Sequence, residues 1–282
     1  MSILDHKIDF VLLASVEKAN PNGDPLNGNR PRQNFDGFGE ISDVAIKRKI
    51  RNRFIDMGKK VFVQSNDKNV DGYKSLKDRA DAVEELKQLA KDKDEENYAK
   101  VAAQEWLDVR SFGQVFAFSG QSLSVGVRGP VSIHTGVSID PIDINSMQIT
   151  KSVNSVTGNK KSSDTMGTKH RVDYGLYLIK GSINTQLAEK TGFTMEDAEA
   201  VKEALRTLFE NDASSARPEG SMTVERLYWW EHKTKMGQYP SAKVHRSVSV
   251  KALVENPRQF SDYEVSLEPL EELKVTELID GE

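Results

Sequence analysis

The segment KIDFVLLASVEK, Lys7 to Lys18, places the tightest limit on the fold. Its apolar run, Phe10 to Ala14, is bounded by charge on both sides. The run is too short and too charged for a signal peptide or a membrane span, and it reads as a strand. Further stretches supply partners for it. DVRSFGQVFAF returns to strand character after a turn at Ser111–Gly113, and LSVGVRGPVSIHTGVSI alternates, with Gly and Pro at an irregular point. VDYGLYLIKGSINTQLA and GSMTVERLYWWEHK read as strands, and SVSVKALVEN as one more.

Helices fall between these strands. Ser42 caps one, with Asp43 in its first turn, Gly58 at its end, and Ile46, Ile50, Phe54 and Met57 on one stripe. Thr194 caps another, whose stripe is Met195, Ala198, Val201, Leu205 and Leu208. From Lys68 to Glu105 the chain is charged and helix-prone, which predicts an inserted helical subdomain with a solvated face. The polar stretch DPIDINSMQITKSVNSVTGNKKSSDTMGTKHR cannot supply its own core and predicts a protruding hairpin. With the insertions removed, an α+β core remains that resembles a ferredoxin-like or RRM-type sheet.

Composition narrows the chemistry. The 282 residues contain no cysteine, so disulfides, thiolate metal sites and a cysteine nucleophile are excluded, and a reducing cytoplasm fits. His6, His134, His170, His232 and His245 include no i, i+4 pair and no HExxH, so no designed metal site and no cofactor is expected. There is no GxSxG in strand–turn–helix context and no Walker motif. Asp24 and Asp36 lie in a glycine-rich loop, where they either bind a divalent ion or, more commonly, form turns.

Nucleic acid is the remaining class. The chain carries 39 Lys+Arg against 43 Asp+Glu, a net charge of −4, so such binding needs a local patch. Five of the seven residues from Lys47 to Arg53 are basic. Lys47 and Arg51 are one turn apart at the rim of the apolar stripe, with Arg48 beside them. Alone, this helix reads equally as a solvated face. It follows, however, a long Asn/Gly/Pro loop, ANPNGDPLNGNRPRQNFDGFGE, that offers backbone N–H groups, and Lys18, Arg30 and Arg32 flank that loop. Arg110 and Phe112 pair a charge with a ring, and Lys160 and Lys161 sit at the expected hairpin tip. Met147 and Met166, on the hairpin arms, are candidate wedges between bases or packing points for a neighbouring subunit.

The stretch KANPNGDPLNGNRPRQNFDGFGEISDVAIKRKIRN (Lys18 to Asn52), with DVRSFGQVF and NDASSARPEG, resembles the RAMP superfamily. More narrowly, it resembles the backbone subunit of the type I-C CRISPR surveillance complex, Cascade. The resemblance implies a palm in three parts (1–58, 108–139 and 172–282), helical fingers at 59–107 and a β-hairpin thumb at 140–171. It also implies a non-catalytic, cytoplasmic subunit that polymerises head to tail along CRISPR RNA and assembles with other Cascade subunits, away from membranes. Each thumb would displace a guide base at intervals, leaving the others to pair with target DNA in antiviral defence. Carried over by position, the RNA-binding residues fall on Asn20, Asn22, Ser42, Lys47, Arg48, Arg51, Arg110, Phe112, Gln114, Ser214, Ser215 and Arg217, with His170 where the thumb rejoins the palm. The alternative is a metal-dependent RNA endonuclease of the type III kind, using Asp24 or Asp36.

Overall fold

The computed structural model describes residues 2–119, 123–151, 157 and 166–278. The chain opens with β1 (Ile8–Ala19), followed by the short β2 (Gly23–Asp24) and β3 (Arg30–Pro31), then β4 (Phe38–Ile41) and α1 (Asp43–Asp56). Next come α2 (Leu76–Asp81), α3 (Glu84–Asp92), α4 (Glu95–Glu105) and α5 (Leu107–Phe112). The middle strands are β5 (Gly113–Ala117), β6 (Ser124–Arg128), β7 (Val131–Ile133), β8 (Gly136–Pro141), β9 (Ile144–Thr150) and the long β10 (Met166–Ile183). The last third holds α6 (Thr185–Thr191), α7 (Met195–Arg206), β11 (Met222–Glu231), α8 (Ser241–Arg246), β12 (Val248–Ala252), β13 (Tyr263–Leu267) and β14 (Val275–Leu278).

The architecture is α+β around an eight-stranded sheet with antiparallel pairing, in the order β14-β11-β1-β10-β8-β4. β7 and β9 pair with other stretches of β10. β1 lies at the centre, and its alternation feeds two cores. Ile8, Phe10, Leu12, Ala14 and Val16 face α1 and α7, packing with Ile46, Ile50, Phe54, Val201 and Leu205. Val11 and Leu13 face the β12–β13 hairpin and α8, with Trp230, Val244 and Tyr263. A third cluster gathers α2–α5 on the β5–β6 hairpin around Phe62, Leu86, Tyr98, Trp106 and Phe116.

The two expected helices form as their caps dictate. The Ser42 hydroxyl accepts from Ala45 N at 3.3 Å, and Gly58 takes φ +71° beyond the last turn. Thr194 and Asp197 form a reciprocal capping box at the start of α7. Three expectations are corrected. DVRSF is helical, because Leu107, Val109 and the carboxylate of Asp108 are all buried against the insertion. The strand expected to run to Ala188 stops at Ile183, where the Asn184 side chain accepts from Leu187 N at 3.0 Å and starts α6. The C-terminal strands β13 and β14 were missed, since each is a short edge pairing with exposed charge.

Gly39 marks a close approach. A Cβ there meets the hydroxyl of Tyr177, which is fully buried and has no hydrogen-bond partner among the described residues. Burial alone pushes that phenol's pKa up. Replacing Gly39 by Ala is expected to lower stability by about 1–3 kcal/mol through overpacking. Tyr177→Phe is expected within about 1 kcal/mol of the parent, because an unsatisfied buried hydroxyl is lost. The double variant should recover part of the Gly39→Ala loss; urea unfolding of the four proteins measures all three values.

Candidate nucleic-acid interface

The end of β1, the start of α1 and the loop after α7 converge on a polar groove of about 310 Å³. Of the sequence-predicted residues, Asn22, Arg48, Ser214 and Arg217 line it. Local structure explains the convergence. Asn22 Oδ1 accepts from Ser42 N at 2.9 Å, which fastens the loop to the N-terminus of α1. Asn20 is buried, donates its amide to Asn29 O at 2.7 Å and binds Ala216 O through its backbone N–H at 2.9 Å. Ser214 Oγ accepts from Arg217 N at 3.2 Å and closes the opposite wall, while Ser215 is exposed beside it.

Lys49, Asn52, Lys68, Asn211 and Asp212 also line the groove and were not anticipated. The flank of α1 that faces it is 45–48–49–52, not the flank of Lys47 and Arg51. Lys47 pairs with Asp43 at 3.0 Å. Arg51 Nε donates to Asp108 at 2.8 Å and lies over the Phe112 ring. Arg110 makes two 2.8 Å bonds to Asp197 and donates to Ala103 O at 2.7 Å. Arg51, Arg110 and Phe112 thus bind α1, α5 and α7 to one another. Gln114 donates to Val115 O at 3.1 Å.

A second group forms where the loop meets the hairpin arms. Arg30 donates to Ser146 Oγ at 2.9 Å, and Ser146 shares a 2.8 Å bond with His170 Nδ1. Lys18 interrupts the β1–β10 register with φ +49° and stays exposed near Glu17. Met147 is half-buried and Met166 exposed. Lys160 and Lys161 lie outside the described residues.

Carboxylates temper the charge of the groove. Arg48 pairs with Asp67 at 3.3 Å, an exposed contact of small worth. Asp212 bridges Lys49 and Arg217, the latter at 3.1 Å. The loop aspartates serve turns: Asp24 caps Leu26 N and sits 3.5 Å from Arg32, and Asp36 N binds Asn34 Oδ1. Among the described residues no group of three or more His, Asp or Glu is arranged to hold a metal ion. No helix there is long and apolar enough to cross a membrane.

With this geometry in view, comparison with known proteins gives a consistent answer. The family model of the CRISPR-associated protein Cas7 matches residues 6–268. The chain belongs to that family. It is 25% identical over 241 residues to the CRISPR-associated protein Cas7 of Haloferax volcanii, covering 79% of this chain and 69% of that one. Its fold is similar to a chain of a "CRISPR RNA-guided surveillance complex, pre-nicking", with a TM-score of 0.52 at 15% identity, covering 79% of this chain and 78% of that one.

Two outcomes test the wiring. Arg110→Ala is expected to cost about 3 kcal/mol, because it strands the carboxylate of Asp197, and to leave the salt dependence of any RNA binding unchanged. Denaturant unfolding and a salt titration on one preparation separate the two. Lys49 supplies a pH signature. Burial pushes its ammonium down to about 8 against the pull of Asp212. An unfolded lysine titrates near about 10.4, so between these limits the folded chain holds fewer protons and stability rises with pH. Lys49→Met is expected to flatten that rise in a Tm–pH series.

Proposed function

We propose that this chain is the CRISPR RNA-binding backbone subunit of a type I-C Cascade, acting without catalysis of its own. The observation that carries the reading is the groove itself: Arg48, Lys68 and Arg217 gathered around the amides of Asn22, Asn52 and Asn211 in a member of this family. Among the described residues no aromatic ring lines the groove, which offers charge and hydrogen bonds rather than a stacking platform. Such a surface grips phosphate and sugar and is blind to sequence, as a holder of arbitrary guides must be. The guide bases then remain free to pair with target DNA.

The finer organisation fits the same reading. The sequence β1–α1–β8–β10–α7–β11, with β11, β1, β10 and β8 adjacent, supports an RRM-like palm. The helices α2–α4 supply fingers at 59–107, and β9 with the first half of β10 supplies a thumb at 140–171. Copies stack head to tail along the guide, assemble with other Cascade subunits in the cytoplasm and leave an acidic exterior to solvent. A head-to-tail contact is heterologous and gives an open filament when its rotation does not close.

The test is a salt titration of binding to single-stranded RNA of several sequences. Arg48→Ala and Arg217→Ala should each weaken binding equally for every sequence and lower the log–log salt slope by about 0.7 to 1. Lys47→Ala should leave the slope unchanged. If the unaltered chain shows no affinity for RNA at moderate ionic strength, the proposal fails.

A further inference from the structure

The turn before β4 presents an aromatic ring that no other described residue covers. Phe35 is 103% exposed. The turn that carries it is nevertheless rigid. Asn34 Oδ1 accepts from Asp36 N at 3.0 Å and from Phe38 N at 2.9 Å, and Asn34 N donates to Phe38 O at 2.9 Å. Gln33 ties the turn down through Gly37 O at 3.1 Å and Ile142 O at 2.9 Å. Gly37, at φ +85°, completes the reversal. A ring carried on a fixed backbone costs less entropy to bury against a partner than one on a loose loop, which is the property of an interface anchor.

The complementary feature lies past the other end of α1. Between that helix end and the helical insertion is a cleft of about 490 Å³. Ile55, Val61, Val70, Val83 and Trp106 form its apolar wall. Arg79 is buried and bonded to Asp71 at 2.6 Å, which leaves Lys59 and Lys60 as the accessible cations of the cleft. Lys59 and Lys60 pair at 3.0 and 2.7 Å with Glu196 and Glu105, in partly exposed contacts that exchange at small cost. Phe35 is followed by the exposed carboxylate of Asp36. Ring and carboxylate on one surface match apolar wall and lysines on the other.

We propose that Phe35 of one copy seats in this cleft of the next, with Asp36 meeting Lys59 and Lys60. The proposal rests on the head-to-tail assembly put forward above and names the contact that makes it. Knob and hole are carried by different parts of the chain, beyond opposite ends of the 14-residue α1. Their contact between copies is therefore heterologous and propagates. Stacking of Phe35 on RNA is the disfavoured occupant, because Asp36 sets a negative charge where phosphates would run.

The chain has no native cysteine, so single thiols report cleanly. Asp36→Cys chains, which keep the Phe35 ring, are mixed with Val70→Cys chains, with and without single-stranded RNA, and treated with a short bismaleimide. Heterodimers are expected in the mixture and not in either variant alone. In sedimentation, Phe35→Ala should weaken association between copies by at least about tenfold, the loss typical of an aromatic anchor. Its affinity for a short RNA holding one copy should be unchanged. If the unaltered chain assembles on RNA but the mixture gives no heterodimer, the contact is wrong and the assembly reading stands. If Phe35→Ala weakens binding to the short RNA as much as it weakens assembly, the ring belongs to RNA and the proposal falls. If the unaltered chain stays single under every condition, both the contact and the assembly reading are overturned.

Discussion

The structure depends on the position of β1 between β10 and β11. A strand paired on both edges and covered on both faces has no wet side, so its residues from Ile8 to Val16 are buried. Two layers must then cover it: α1 and α7 on one face, the β12–β13 hairpin and α8 on the other. The one carboxylate within this buried stretch, Asp9, faces the second layer. His232 accepts from Gln238 N at its Nδ1, so its Nε2 carries the proton and donates to Asp9 at 2.8 Å. Lys7 lies 3.0 Å from the same carboxylate. Burial pushes the Asp9 carboxyl up, but these partners outweigh it and hold the pKa below its ordinary value. A charged group in the central strand is thus tolerated because β11 and its following loop come to meet it.

Fastening the sheet this way leaves the ends of its strands free for loops, and the groove is built there. β1 ends at Ala19, α1 begins at Asp43, and the Asn22–Ser42 bond brings the two together across a long intervening loop. The loop after α7 reaches the same place through Asn20 and Ala216. Positions far apart in sequence, 22, 48 and 217, meet because Asn22 is bonded to the backbone of Ser42, Arg48 is carried by α1, and backbone bonds close the turn from Ser214 to Arg217. Binding surfaces carried on loops but fixed by a rigid scaffold are the usual outcome of this arrangement.

The sequence shows the groove's existence better than its composition. Cap residues and 3.6-residue periodicity are local signals, so Ser42, Thr194 and the apolar stripes of α1 and α7 place both helices. The central strand is equally plain, since Phe10–Ala14 has no polar face. Which flank of α1 meets the groove is not local. It depends on Asp108, which takes Arg51 on one side while accepting from Phe62 N and Val63 N at 2.6 and 3.1 Å. A basic residue looks the same in sequence whether its partner is a phosphate or a carboxylate 57 positions away. Lys49 was overlooked for the same reason: only the fold shows that its flank is lined by Asp212. The short edge strands near the C-terminus were illegible because each spans only five or four residues and most of their apolar residues are half-buried among exposed Glu, Ser and Thr.

On the proposed reading, the internal pairing of α1 also explains how an acidic chain would hold a polyanion without clinging to every other one. Lys47, Arg48, Lys49, Arg51 and Arg53 each have a carboxylate within 3.3 Å in the free chain. The buried pairs, Arg51–Asp108 and Lys49–Asp212, hold the helix in place and are costly to break. The exposed pair, Arg48–Asp67, is cheap to exchange, and a phosphate arriving at Arg48 displaces a contact of small worth. The charge left for a polyanion is therefore what remains after the scaffold has taken its share. In the proposed assembly, affinity would accumulate from several weak, salt-sensitive contacts along a strand, with each copy alone binding modestly. The proposed contact between copies would multiply that modest grip, because each bound copy raises the effective concentration of the next.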